Sequence, residues 1–548
     1  MSQAPAKRGH TRVGEEPAPG AGRRWPAWWV LALTAGLFAL LIVQHSLRSG
    51  KLLLLPTYDD VEYLNAGLRL LTLLDTHGLK RFAAEVLLHP GHAPYSTLTA
   101  VLGYTLFGVQ QWAPYLVNAL PVLALLLLTR GLLLGAPPAV ILAWLAVTLT
   151  LPFSGRLVSE FRPDLVCGML AALGVVRLVT SPLLGSDRAR LMTTGLCFGL
   201  ALLVKPSVFA ATLAYLGAAL AVATTRDLLL GGRLAAWRSL AAAWGWCLLP
   251  PLALFLPYLA ITRGGAVEYM FSNVWGDYAS YLHYRGGFWA SLPYYLTGPG
   301  GQFTLGRHLY LLGLVIVLGA WGVIRRGDRA QRLGLLGLVV AAALVYAVPL
   351  FNNERQRFFG SAFSMTVFFW ATHQVAAWWR AKAVPLAPDR LRPLLFGLGL
   401  AGLLLVYWPD YQPADQGRAI RAFQERVQDA VLASQPRPGA RVFVTTVGAT
   451  NASTIQYGLL RDGRPDVQVV DLHRSKDLEQ YRQAEDRSDY VVARDPRAGR
   501  RAGRLPCGEI EEQSLHQVAH RTDFQRVAAI DDPHGGVYHV FRRITDRP

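Results

Sequence analysis

The chain has 548 residues, with 54 Lys+Arg against 36 Asp+Glu, a formal net charge of +18, 52% hydrophobic residues and only 16% charged ones. Soluble globular chains carry roughly 25% charged residues, and disordered chains are poor in hydrophobic ones, so both classes are excluded. Nor does the basic balance indicate nucleic acid: basic and acidic residues nearly cancel over 410–548, and the excess lies in the apolar part, where it reports membrane topology.

In chain order, residues 1–25, rich in Ala, Pro, Gly and Arg, read as a disordered basic tail. A membrane-crossing helix needs about 20 apolar residues. Such runs fall near 27–46, 112–134, 137–153, 163–181, 190–204, 206–224, 239–262, 308–324, 333–350, 358–379 and 393–408, which predicts about eleven spans. No small-residue cleavage site follows the first, so it reads as an anchor rather than a signal peptide.

Lys and Arg in the short loops set the orientation. Lys7, Arg8, Arg12, Arg23 and Arg24 place the N-terminus in the cytoplasm. Alternation then puts Arg188, Arg226, Arg233, Arg238 and the basic residues of 325–332 and 380–392 on the same side. Loops 47–111, 154–162, 263–307 and 351–357, and the region from 410 onward, fall on the outer face. The predicted location is a bacterial inner membrane, with the endoplasmic reticulum as the alternative.

The region from 410 is a different kind of sequence. Short β-type runs start at Arg441, Val467, Asp489, Val527 and Val537, with a helical stretch at 453–460. This alternation predicts a small α/β domain. Gly448 alone is too little for a nucleotide fingerprint. The expected organisation is a tail at 1–25, a membrane domain at 26–409 and an extracytoplasmic α/β domain at 410–548. Cys167, Cys197 and Cys247 lie in apolar runs and Cys507 stands alone, so neither a disulfide framework nor a zinc site is expected.

A charge at the centre of a membrane helix costs roughly 2.5–3.5 kcal/mol on insertion scales, so ionisable residues in apolar sequence need a partner or a task. Here they gather at the outer ends of the spans. The first patch is Tyr58-Asp59-Asp60-Val61-Glu62-Tyr63. Asp59 or Asp60 can serve as a helix N-cap, but a cap accounts for one acid and not for three. Neighbouring carboxylates can instead supply a general base. The second patch holds Arg156, Glu160, Arg162 and Asp164, with Pro163 suited to a first helical turn. It reads either as a salt-bridged helix start or as a binding site.

The third is Lys205-Pro206, a lone lysine at an outer end, explained by snorkelling or by an anionic phosphate. The fourth, Asn352-Asn353-Glu354-Arg355-Gln356-Arg357, offers two arginines suited to a diphosphate or phosphodiester, or to pairing with Glu354. Tyr278, Tyr281, His283, Tyr284 and Arg285 make loop 263–307 an interfacial aromatic belt or a sugar and lipid contact. His92 is a lone loop histidine.

Together these motifs resemble the GT-C membrane glycosyltransferases. The resemblance rests on the acidic patch after the first span, the Pro94-Tyr95 segment ending in Leu106-Phe107-Gly108, the Arg162-Pro163-Asp164 helix entry, the apolar run into Lys205-Pro206, and the late arginine-rich loop. Within that superfamily the chain looks most like the family 39 group of protein O-mannosyltransferases and the lipid A aminoarabinose transferase, over residues 27–408.

The resemblance implies a polytopic α-helical GT-C fold and transfer of a sugar from a polyprenyl-phosphate donor to a glycan, lipid or protein acceptor. Asp59 would be the general base, with Asp60 and Glu62 tuning or orienting it. Lys205, Arg355 and Arg357 would neutralise the leaving phosphate, and Tyr58, Arg156, Glu160, Arg162 and Asp164 would contact or position substrate. No metal is required by that chemistry. Many relatives have Pro-Pro or Lys-Pro before the tyrosine; here the sequence is Gly91-His92-Ala93-Pro94-Tyr95, which makes His92 a candidate phosphate contact. The competing reading is a polytopic lipid or sugar transporter or flippase, which calls for polar groups at mid-depth and internal repeats.

Overall fold

The computed structural model describes residues 28–89, 93–231, 237–274, 287–352, 355–380, 397, 414–433, 436–446, 448–495 and 506–544. The expected tail at 1–25, the span at 393–408 apart from Gly397, His92 and the aromatic cluster at 278–285 lie outside the described residues.

Seven described helices are long and apolar enough to cross a membrane: Trp28–Ser49, Ala113–Leu132 (broken at Asn118), Pro163–Thr180, Pro206–Leu229, Trp237–Ile261, His308–Arg326 and Arg329–Leu350. An eighth is admitted if Pro138–Thr150 and Pro152–Ser159, bent by 54°, count as one. One of the eleven expected runs, that at 393–408, falls among residues that are not described, so the count is of the described residues alone. The 137–153 run breaks because Pro152 forces Leu151 into extended backbone (φ −57°, ψ 135°). Arg188–Val204, at 17 residues, is short for a span.

Two helices carry no long apolar run, although the acidic patch marks a possible helix start near Asp59. Tyr58–Leu88 is broken at Gly78, whose φ of 75° leaves the helical region, and Pro94–Phe107 follows it. Charged residues recur along the first, and the second is only 14 residues long, so neither stands out as a long apolar run.

Periodicity explains how the helices pack. In Trp28–Ser49, Leu31, Ala35, Ala39 and Ile42 are buried against the bundle, while Leu33, Leu37, Leu40 and Leu41 are exposed, as lipid-facing residues are. Pro163–Thr180 is the central helix, buried on nearly every side. Its Gly168 lets Ser361 of the Ser361–Arg380 helix approach, and the Ser361 hydroxyl donates to the Asp164 carbonyl at 2.9 Å. Trp144 Nε1 donates to Thr372 at 2.8 Å, and Thr304 pairs with Ser364 at 2.6 Å, polar contacts that tie membrane helices together.

After the helix Ala414–Ala433 come strands β1 (Arg441–Val444), β2 (Gln468–Asp471), β3 (Tyr490–Asp495), β4 (Phe524–Asp531) and β5 (Val537–Arg543), in the order β2-β1-β3-β5-β4. The two pairings of β1 are parallel, and β5 is antiparallel to β3 and β4. Alternate residues face opposite sides. Val442, Val444, Val492 and Val540 pack on Phe423, Val427 and Ile455. Phe443, Val491, Ala493 and Phe541 pack on Tyr481, Cys507 and Val518.

This sheet unit docks on the start of the Tyr58–Leu88 helix. Thr454 Oγ1 donates to the Pro56 carbonyl at 2.8 Å, Asn65 Nδ2 to the Ser453 carbonyl at 2.9 Å, and the Leu55 amide to Gln424 Oε1 at 2.9 Å.

Candidate active site

The acidic patch opens the Tyr58–Leu88 helix. Thr57, in extended backbone, occupies the N-cap, so neither Asp59 nor Asp60 caps; both lie in the first turn, where the helix dipole favours negative charge. Their surroundings differ. The Asp60 side chain has no solvent exposure and that of Asp59 is 52% exposed.

Four groups hold the Asp60 carboxylate. Lys51 Nζ lies 2.5 Å from Oδ2, the Tyr115 hydroxyl donates at 2.9 Å, the Phe161 amide donates at 3.2 Å, and Arg162 Nε is 3.5 Å from Oδ1. Lys51 also donates to Glu160 Oε2 at 2.9 Å, and Arg156 Nη1 donates to Glu160 Oε1 at 3.0 Å. The result is one chain of alternating charge, Asp60–Lys51–Glu160–Arg156, at the mouth of the bundle. Burial works against the charge on Lys51, but the carboxylates of Asp60 and Glu160 outweigh it and raise its pKa.

Arg162 joins this chain to Asp59, with which its Nη1 forms an ion pair. Burial opposes its charge, and Asp59, Asp60 and Glu160 more than compensate, raising its pKa. The Arg162 guanidinium also lies over the Phe358 ring, 4.8 Å from its centre, and Lys205 Nζ is 5.7 Å from the same centre. Lys205, at the C-terminal end of Arg188–Val204, donates to both carboxylate oxygens of Asp164 at 2.7 Å.

Asp59, Asp60, Arg156, Glu160, Arg162, Asp164 and Lys205 are thus brought to one end of the bundle. Arg357 is exposed in the turn Arg357–Gly360 that also carries Phe358. Arg355 is differently placed: its guanidinium donates to Ser291 Oγ at 3.1 Å and to the carbonyls of Pro349 at 3.3 Å and Leu350 at 2.8 Å, tying the loop to the preceding helix end. Glu62 is exposed and within electrostatic reach of the sheet unit. The protein around it and then Asp59 raise its pKa, while His473 and Arg474 pull it down. Tyr58 starts the helix, and its side chain lies outside the described residues.

Two participants were not read from the sequence. Lys51 was passed over inside Gly50-Lys51-Leu52-Leu53, although a lysine just beyond the outer end of a span is the signal that singled out Lys205. Tyr115 was hidden in an apolar run. Among the described residues, no three His, Cys, Asp or Glu side chains gather as metal ligands.

The fold matches that of ArnT from Cupriavidus metallidurans bound to undecaprenyl phosphate, with a TM-score of 0.55 and 15% identity over 94% of this chain and 98% of that chain. The apo structure of the same protein gives 0.52 and 15% over 94% and 97%. No protein-family model matches the sequence, and no curated protein matches it. The likeness is one of fold: a polytopic helical unit followed by a small sheet domain.

Proposed function

Proceeding from this fold, we propose that the protein is an integral-membrane glycosyltransferase. It moves a sugar from a polyprenyl-phosphate donor to an acceptor hydroxyl at the outer face of a bacterial inner membrane. The observation that carries the reading is Asp59: a half-exposed carboxylate, ion-paired with Arg162 and set beside the fully buried Asp60, at one end of the spans.

The chemistry follows from that placement. An ionised Asp59 takes the proton of the acceptor hydroxyl as its oxygen bonds to the anomeric carbon. The bond from that carbon to the phosphate oxygen breaks, its electron pair leaves with the polyprenyl phosphate, and in-line attack inverts the anomeric centre. Asp60 does not meet substrate; itself held by Lys51, it holds Arg162, and Arg162 holds Asp59. Charge developing on the leaving phosphate is met by exposed Arg357 and by Lys205, whose ammonium has one donor beyond the two given to Asp164. Arg355 acts through the loop it anchors. The expected domain division, with the sheet unit outside the membrane, belongs to the same reading.

The test is transfer from a panel of labelled polyprenyl-phosphate sugars in membranes containing the protein. Incorporation of label into envelope material is expected. Absence of transfer from every donor, together with movement of labelled lipid across the bilayer, would favour the transporter reading instead.

A further inference from the structure

The sheet unit reaches the acidic patch through one turn. β1 and β2 run parallel with Val444 level with Asp471, so their C-terminal ends leave the sheet at the same edge. That edge is the docked one: beyond β1, Thr454 and Ser453 bond to Pro56 and Asn65 of the segment that carries Asp59 and Glu62. Beyond β2 the chain makes a tight turn, with the Ser475 amide donating to the Leu472 carbonyl at 2.8 Å and the Tyr481 hydroxyl donating to the same carbonyl at 3.1 Å. His473 and Arg474 are the two central residues of that turn.

Asp471 orients the histidine. Its Oδ1 lies 2.5 Å from His473 Nδ1, with the two side chains 23% and 28% exposed. An ionised Asp471 accepts the hydrogen bond that His473 Nδ1 donates, which leaves Nε2 as the ring nitrogen turned away from Asp471. Burial opposes ionisation of Asp471, but the contacts from His473 prevail and its pKa is lowered. The charges of His473, Asp471 and Arg474 act on Glu62. Tyr269 of the Gly265–Val274 helix is within electrostatic reach of Asp59, Glu62 and Arg474. One rim therefore carries residues of both units: Asp59, Glu62 and Tyr269 from the membrane unit, and His473 and Arg474 from the sheet unit.

We infer that His473, oriented by Asp471, and Arg474 are acceptor-positioning residues, so that the sheet unit forms the acceptor-side wall of the active site. This rests on the transferase reading. Lys205, Arg357 and the Phe358 ring form the group proposed for the donor phosphate, whereas the charges of His473 and Arg474 act on Glu62. A polar acceptor entering between the two units meets His473 Nε2 and the Arg474 guanidinium as Asp59 receives its hydroxyl proton. The sheet unit then governs which acceptor is accepted, without contacting the reacting carbon.

The test uses the full-length protein in proteoliposomes, a labelled polyprenyl-phosphate sugar that the wild type transfers, and a detergent extract of the cell envelope as the acceptor probe. His473→Gln and Arg474→Gln are compared with wild type for half-saturation by extract, half-saturation by donor, and maximal rate. The expected result is a rise of about tenfold in the extract needed for half-maximal transfer, the effect of losing one hydrogen bond to a charged group. Donor half-saturation stays at the wild-type value, and Arg474→Lys recovers part of the loss. Unchanged extract dependence in both variants overturns the inference while leaving the transferase reading intact. So does an equal loss against donor and extract, which marks a structural role. Failure of the wild type to transfer any donor sugar overturns both together. Asp471→Asn is the second variant: it leaves the turn in place, releases the ring, and is expected to raise extract half-saturation as His473→Gln does.

Discussion

Asp59 and Asp60 are consecutive in sequence and opposite in setting: Arg162 touches both, yet one carboxylate is half in solvent and the other wholly withdrawn from it. The buried one holds its position through Lys51, Tyr115 and the Phe161 amide. On the proposed mechanism the exposed one meets substrate and the buried one braces it, a division that charge counting along the chain does not reveal.

The brace has an energetic signature. Lys51→Met leaves Asp60 and Glu160 buried without their shared cation, and breaking such a pair from one side costs about 3–5 kcal/mol. A lowered thermal unfolding midpoint is expected for the full-length protein in detergent. Lys51→Met combined with Asp60→Asn should lose less than the two single losses added, since each removes the other's unpaired partner. A Lys51→Met protein that unfolds with the wild type would show the brace to be incidental.

Arg357 tests the donor side. It is exposed, so Arg357→Gln should leave stability within about 0.5 kcal/mol of wild type. Loss of a charged contact to phosphate should raise the donor concentration for half-maximal transfer by about tenfold or more. An unchanged donor dependence would remove Arg357 from the phosphate site.

Glu485 sets a pH dependence in the sheet unit. Its side chain has no exposure, and burial raises its pKa from 4.5 to about 7, against the pull of Arg521. The native state therefore holds a proton that the unfolded chain releases between about pH 4.5 and 7. Stability from this group is full below that window and falls as pH rises through it. Glu485→Gln should remove the slope and stabilise the unit at pH 8 by on the order of 1–3 kcal/mol. Hydrogen exchange of the Leu478–Asp486 helix in the full chain reads this directly. Equal protection in wild type and variant at pH 8 would contradict it.

Gly195 sets the approach of Arg188–Val204 to Trp237–Ile261. A Cβ there meets the carbonyl of Cys247, which is backbone and has no room to yield. Gly195→Ala should cost about 1–3 kcal/mol by overpacking, read as a lower unfolding midpoint. A variant as stable as wild type would show that the two helices can separate freely.

Much of this was legible in the sequence because it is local. All five strands were found where β-type residues run together, and the acids of 59–62 stood out because apolar neighbours surround them. The breaks within the apolar runs are less legible: Pro152 bends one run, and the Arg188–Val204 helix ends after 17 residues. The division of labour between Asp59 and Asp60 was not legible, since it depends on Lys51, Tyr115 and Phe161, which reach the site from separate segments. The docking of Ser453 and Thr454 on Asn65 and Pro56, segments far apart in sequence, leaves no trace in periodicity or composition.

The most direct measurement is sugar transfer by Asp59→Asn beside wild type, with binding of the donor lipid followed in the same samples. Removing a general base should lower turnover by about 10²- to 10⁴-fold. Donor binding should persist, because Lys205 and Arg357 are untouched. Turnover equal to wild type in a folded, donor-binding Asp59→Asn protein would contradict the assignment of Asp59 and the mechanism built on it.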